Sequence, residues 1–198
     1  MVFLPPTMPS AAPMKEMLVL VDDRDREIGT AEKLDAHRQG RLHRAFSVFV
    51  FDAAGALLLQ RRADGKYHSG GLWTNTCCGH PRPGEAVEDA AHRRLGEEMG
   101  FDCALRNVGS IVYELAVTEG LTEHEFDHLF IGRADAAPRP DPQEVQEWAW
   151  MPLVSLRESM QRAPQAYTVW LHAIVAQAGF ARLTQWSAAA AQAPEASG

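Results

Sequence analysis

Between Gly79 and Phe101 the chain reads GHPRPGEAVEDAAHRRLGEEMGF. Glu85, Glu97 and Glu98 share this window with Arg93 and Arg94, and Gly79, Gly84 and Gly100 punctuate it. Carboxylates bind hard divalent cations and guanidinium groups hold anions, so this mixture at this spacing suits an enzyme that handles a metal-bridged diphosphate. Cys78 stands directly before the window, and Glu123 and Glu125 stand two residues apart beyond it. A thiol and a carboxylate are both groups that can give or take a proton.

These groups need a frame, and the window supplies part of it. Gly79 to Gly84 is too rich in Gly and Pro for regular structure, whereas Glu85 to Met99 contains no Pro and predicts a helix. Glu85, Glu88 and Asp89 place negative charge in its expected first turn, and Gly100 is its expected stop. Val87, Ala91, Leu95 and Met99 recur every four residues and form the buried stripe, and Arg94 and Glu98 project together beside it.

Around that helix the pattern predicts strands at Met17–Val21, Leu42–Phe51, Ala56–Arg62, Ser110–Val117, Glu125–Gly132 and Glu147–Met151. The second and third of these read as a hairpin about the turn Asp52–Gly55. Short helices are expected at Lys33–Gln39, Leu153–Gln161 and Tyr167–Ala178. Strands with a helix packed on a mixed sheet make an α/β (α+β) sandwich. Residues 1–16 read as a flexible arm, 17–180 as a single domain, and 181–198, with its SAAAAQAPEASG run, as a disordered low-complexity tail.

The window resembles a Nudix box: a glycine, five residues, Glu, seven residues, Arg-Glu, an aliphatic residue, any residue, Glu-Glu, any residue, Gly and an aliphatic residue. Gly79, Glu85, Arg93, Leu95, Glu97, Glu98, Gly100 and Phe101 comply, while Arg94 stands where the pattern has Glu. The flanking segment WTNTCCGHP, from Trp73 to Pro81, resembles the type I isopentenyl-diphosphate isomerases of that superfamily. So do RLHRAFS at 41–47 and Glu123-His124-Glu125, and the likeness runs from about Leu18 to Ala173. It implies an α/β/α sandwich of the Nudix fold with N- and C-terminal additions. It also implies conversion of isopentenyl diphosphate to dimethylallyl diphosphate.

Residue by residue, the resemblance implies a site. His37, His43, His80, Glu123 and Glu125 match a metal-ligand set of three imidazoles and two carboxylates, suited to Mn²⁺ or Zn²⁺. Glu98 matches the ligand of a second ion, Mg²⁺. Arg62, Lys66 and Arg94, joined by Lys33, match the groups that hold the diphosphate, and Trp170 faces the substrate. Cys78 and Glu125 match the catalytic pair, with Tyr113 close to Glu125. Which of the two donates first is open; one scheme has Glu125 give the proton while Cys78 accepts the other as thiolate. His68, His92, His124, His128 and His172 match no ligand and read as structural or surface residues, and Cys77 reads as a small buried side chain.

Composition narrows the classes. At 198 residues and 46% hydrophobic content, the chain suits one domain with a sizeable core. A net charge of −7 argues against nucleic acid or an anionic membrane as main partner. Three cysteines do not make a disulfide framework, which fits the reducing cytoplasm, and no apolar run reaches the roughly 20 residues that cross a bilayer. A nucleotide-cleaving hydrolase would carry Arg-Glu in the box and have no need of Cys78. A non-catalytic binding module would have no need of the intact ligand set.

Overall fold

The computed structural model describes residues 16–117, 120–135 and 137–192, so all but the last residue of the expected N-terminal arm lies outside the described residues. Strands β1 (Met17–Val21) and β2 (Glu27–Glu32) form an antiparallel pair and lead into helix α1 (Lys33–Gln39). Then come β3 (His43–Phe51), β4 (Leu57–Arg62), β5 (Trp73–Thr74), β6 (Cys77–Gly79) and helix α2 (Val87–Met99). The long strands β7 (Leu105–Ala116) and β8 (Thr122–Arg133), then β9 (Val145–Met151), precede helices α3 (Leu153–Arg162) and α4 (Val169–Ala190).

The nine strands make one curled mixed sheet centred on β3. β3 runs parallel to β8 from His43 opposite Glu125 to Phe51 opposite Arg133, and β6 joins it antiparallel, with Ser47 opposite Cys78. Because both faces of β3 are covered, it reads as an almost unbroken apolar run. Its side chains alternate between two cores. Phe46, Val48 and Val50 pack with Ala91, Leu95 and Met99 of α2. Phe49 and Phe51 pack on the opposite face with Leu171, Ile174, Leu183 and Trp186 of α4. Helices therefore lie on both faces of the sheet, as the α/β/α reading requires.

Several elements differ from the sequence expectation. The proposed hairpin of β3 and β4 is reduced to one pair, Phe51 with Leu57; β4 pairs along its length with β9 instead. Both strands are buried and apolar, so pattern alone could not choose their partners. β2 was not foreseen, since its half-exposed EIGTAE sequence carries no apolar alternation. Helix α2 begins at Val87, so Glu85 stays in the loop, where both its oxygens receive hydrogen bonds from Arg93 at 2.7 and 2.8 Å. Val87 is only half-buried, and Ala90 completes the stripe.

The largest difference is at the C-terminal end. α4 kinks at Gly179, near the expected end of the helix, but residues 180–190 continue it as a second helical segment, while 193–198 of the expected tail lie outside the described residues. Leu183, Trp186 and Ala190 recur on one face and are buried, with the Trp186 ring 5.5 Å from that of Phe49. The alanine-rich composition that suggested disorder is also the best helix former, and two large apolar anchors dock it.

Two glycines matter to the site. Gly100 ends α2 at φ 72°, and a Cβ there would lie 2.1 Å from the Arg139 carbonyl oxygen. At Gly79 a Cβ would lie 3.0 Å from the Phe46 ring and 3.4 Å from Arg94 Cγ. The bare backbone lets β6 and α2 close together, with Arg94 against Gly79.

Candidate active site

The sheet gathers the expected residues from separate elements around one cavity of about 720 Å³. Lys33, Arg62, Lys66, Cys78, His80, Arg94, Glu98, Glu123, Glu125 and Trp170 all line it. His37, His43 and Tyr113 stand behind the wall, in contact with Glu123 or Glu125. The strand register explains the grouping: Glu125 is opposite His43 on one side and Tyr113 on the other.

At one end, ligand atoms of His37, His43, His80 and Glu123 lie within 4.8 Å of one another. Glu125 adjoins this group, its Oε1 2.8 Å from His80 Nε2 and 3.6 Å from His43 Nε2. Backbone carbonyls set the tautomers: His37 Nδ1 donates to Lys33 O at 2.6 Å and His43 Nδ1 to Arg41 O at 2.8 Å. A neutral ring so held turns a bare Nε2 lone pair inward. His37 Nε2 then faces Glu123 Oε2 at 2.9 Å, and buried His43 Nε2 has no hydrogen-bond partner among the described residues. Acceptor facing acceptor calls for a positive charge between them, and a divalent cation fits the donor set.

Both carboxylates of the cluster are held ionised. Burial opposes ionisation of Glu123, but its contacts with His37 and His68 outweigh it and hold the carboxyl well below its usual range. Glu125 feels burial and the Glu123 charge, yet contacts from His43 and His80 keep it below its ordinary value. Burial pushes the Tyr113 phenol up, so it stays protonated and donates to Glu125. Burial drives the His80 ring toward its neutral form.

Cys78 faces the same cavity from β6. Its thiol donates to Asn75 Oδ1 at 3.1 Å, and Ser47 Oγ lies 3.6 Å away. The Asn75 amide cannot turn round, because its nitrogen is engaged by the carbonyls of Val48 and Cys77 at 3.1 and 3.0 Å. Burial, then the nearby Asp127, pushes the thiol up to about 12. This environment favours the thiol over the thiolate expected in the scheme where Glu125 gives the proton first. Neighbouring Cys77 is fully buried, as expected.

The other end of the cavity is cationic. Arg94 pairs with Glu97 at 2.7 Å, with Glu98 and with Glu144 at 3.3 Å, and Lys66 pairs with Glu144. Glu98 is buried and receives a 2.7 Å hydrogen bond from Gln60. The Arg62 guanidinium lies 5.1 Å from the Trp170 ring, and its buried Nε has no partner among the described residues. Trp170 itself is fixed by donating to Thr74 Oγ1 at 2.8 Å. Lys33 stands at the rim, paired with Glu16 at 2.9 Å.

Sequence reading missed several participants. Asp127 is fully buried, accepts from Ser47 Oγ at 2.9 Å, and is pushed well above its usual value by burial and the Glu125 charge. It continues the alternation of Glu123 and Glu125 along β8, so period two could have found it. His68, which matches no ligand by resemblance, is buried, and its Nε2 lies 2.8 Å from Glu123 Oε1. Nothing in the spacing of the loop between β4 and β5 marks it. Glu144, which holds two cations, comes from a Pro-rich stretch with no motif of its own.

The chain is similar to known proteins. The NUDIX domain family matches residues 41–171. The isopentenyl-diphosphate Delta-isomerase of Burkholderia multivorans is 56% identical over 88% of this chain and 99% of its own length. A second such isomerase, from Photorhabdus laumondii, is 54% identical over 87% of this chain and 98% of its own. Among solved structures, the DR0079 protein from Deinococcus radiodurans superposes with a TM-score of 0.66 at 23% identity, covering 82% of this chain and 98% of that one, a likeness of fold.

Proposed function

The chain belongs to the NUDIX domain family and, within it, to the isopentenyl-diphosphate Delta-isomerases, and from that premise we propose that it isomerises isopentenyl diphosphate to dimethylallyl diphosphate with Cys78 and Glu125 as its proton-transfer pair. The observation that carries the residue assignment is that these two groups line one cavity together with a His/Glu cluster and the cations Arg62, Lys66 and Arg94.

The reaction adds a proton to the terminal alkene carbon, passes through a tertiary carbocation, and removes a proton from the carbon two bonds nearer the diphosphate. Each group that gives a proton in one direction receives it in the other, so a reversible isomerase needs an acid and a base in fixed positions. Cys78 rests as a thiol held by Asn75; Glu125 rests as a carboxylate held by His80 and Tyr113. Arg62, Lys66 and Arg94, with Lys33 at the rim, hold the diphosphate. The Trp170 π face steadies the carbocation, a contribution of roughly 2 kcal/mol in a desolvated site.

His37, His43, His80, Glu123 and Glu125 would hold Mn²⁺ or Zn²⁺, and Glu98 with substrate oxygens would hold Mg²⁺. When bound, the first ion fixes the geometry and protonation of Glu125, and the second neutralises diphosphate charge. Arg94, in place of the box glutamate, removes a carboxylate that could ligate metal and adds an anion holder. That exchange favours gripping a diphosphate over cleaving it. No helix among the described residues is long and apolar enough to cross a membrane.

The assignment is tested with Cys78→Ala and Glu125→Gln. Each is expected to lower kcat by about 10³-fold or more with the thermal unfolding midpoint retained. Substantial turnover by either variant overturns the pair.

A further inference from the structure

The loop between β4 and β5 carries Lys66 to the cationic end of the cavity, and its next residues turn back toward the His/Glu cluster. Ser69 adopts φ 53°, a left-handed conformation that side-chain-bearing residues rarely take. The turn that results points the His68 ring inward. It is 5% exposed, and its plane stands at 86° to that of Trp170 with the ring centroids 5.7 Å apart.

Glu123 has two oxygens, and different imidazoles face them. Oε2 is 2.9 Å from His37 Nε2, inside the cluster; Oε1 is 2.8 Å from His68 Nε2, outside it. An ionised carboxylate only accepts, so His68 Nε2 carries the hydrogen and Nδ1 is left to accept from Ser69 Oγ at 3.2 Å. His68 therefore does to Glu123 what backbone carbonyls do to His37 and His43: it occupies the atom turned away from the centre. His68 is not itself among the four residues whose ligand atoms converge.

We propose that His68 is a positioning residue of the metal centre, donating to Glu123 Oε1 so that this carboxylate meets the ion through Oε2 alone. The inference rests on the reading of His37, His43, His80 and Glu123 as ligands. Partners of this kind change metal affinity by about 10- to 100-fold when removed.

The test is titration of chelator-stripped protein with Mn²⁺ alone, read calorimetrically, for the wild type, His68→Ala and His68→Gln. Gln places an N–H donor near the position of Nε2. The expected result is a tenfold or greater loss of affinity in His68→Ala and recovery to within about threefold in His68→Gln. Unchanged affinity in His68→Ala overturns the proposal, and so does an equal loss in both variants, which would make the ring a ligand in its own right. If His68→Ala does not fold, His68→Gln decides alone: near-wild-type affinity supports the donor role and a tenfold loss overturns it. Wild-type protein that takes up no Mn²⁺ would instead overturn the underlying ligand assignment.

Discussion

The two ends of the cavity are built on different physics. At the metal end, His37 and His43 are fully buried and their tautomers are set by backbone carbonyls, so the lone pairs are aimed before anything binds. At the diphosphate end, Arg94 and Lys66 are partly exposed and held by carboxylates, with Glu144 bridging both. The first end is preorganised by elements of the fold and the second by exchangeable ion pairs. An incoming diphosphate must therefore compete with Glu144 for its cations, whereas an incoming metal finds its donors already turned inward.

The sharpest way to break this contrast is at a ligand. His43→Ala removes a donor with no competing partner, and the loss of metal affinity should exceed the about 10- to 100-fold typical of a supporting residue. Metal analysis after dialysis checks it, and full retention would show that the lone pair is not used. Arg94→Glu, which restores the box consensus, should leave metal content at the His/Glu cluster unchanged. It should raise KM for the diphosphate by about 10- to 100-fold, the value of one or two hydrogen bonds to a charged group. A change in metal content without a change in KM would reverse the division of labour.

Trp170→Leu should lower kcat by roughly 30-fold, corresponding to about 2 kcal/mol of lost cation stabilisation, with a smaller effect on KM. An equal change in KM with constant kcat would assign Trp170 to ground-state binding. The smallest effect concerns acid stability. Burial opposes the Glu144 charge, but Lys66 and Arg94 outweigh it and hold the carboxyl below the ordinary value of 4.5. A depressed carboxylate stabilises the fold above pH 4.5, and the contribution is lost as pH falls through the folded-state value. Denaturation curves should thus show wild type losing its advantage over Glu144→Gln below pH 4.5. Parallel curves from pH 7 to pH 3 would remove Glu144 from the network.

Part of the site was legible from short, regular spacing, whereas His37, His43 and His80 sit in no tight motif and were named only through the family resemblance. Arg94 and Glu98 are one helical turn apart, Glu123 and Glu125 share a strand face, and α1 runs over the expected Lys33–Gln39. What was hidden depends on which strand lies beside which. β3 pairs along its length with β8, takes β6 beside its middle and meets β4 at one pair only, and that register sets Ser47 opposite Cys78 and His43 opposite Glu125. His68 and Glu144 reach the cavity on irregular loops, whose course no periodicity encodes. The helix at 180–190 was hidden for another reason: its alanines look like low complexity until Leu183 and Trp186 are seen docked.

In the proposed reaction protons leave and enter the substrate while the diphosphate stays whole. Incubating the protein with Mg²⁺, Mn²⁺ and isopentenyl diphosphate in deuterated water, and following the products by NMR, tests it directly. The expected product is dimethylallyl diphosphate with deuterium in a methyl group, with no phosphate released. Phosphate release without isomerisation, or isomerisation with no deuterium taken up, would contradict it.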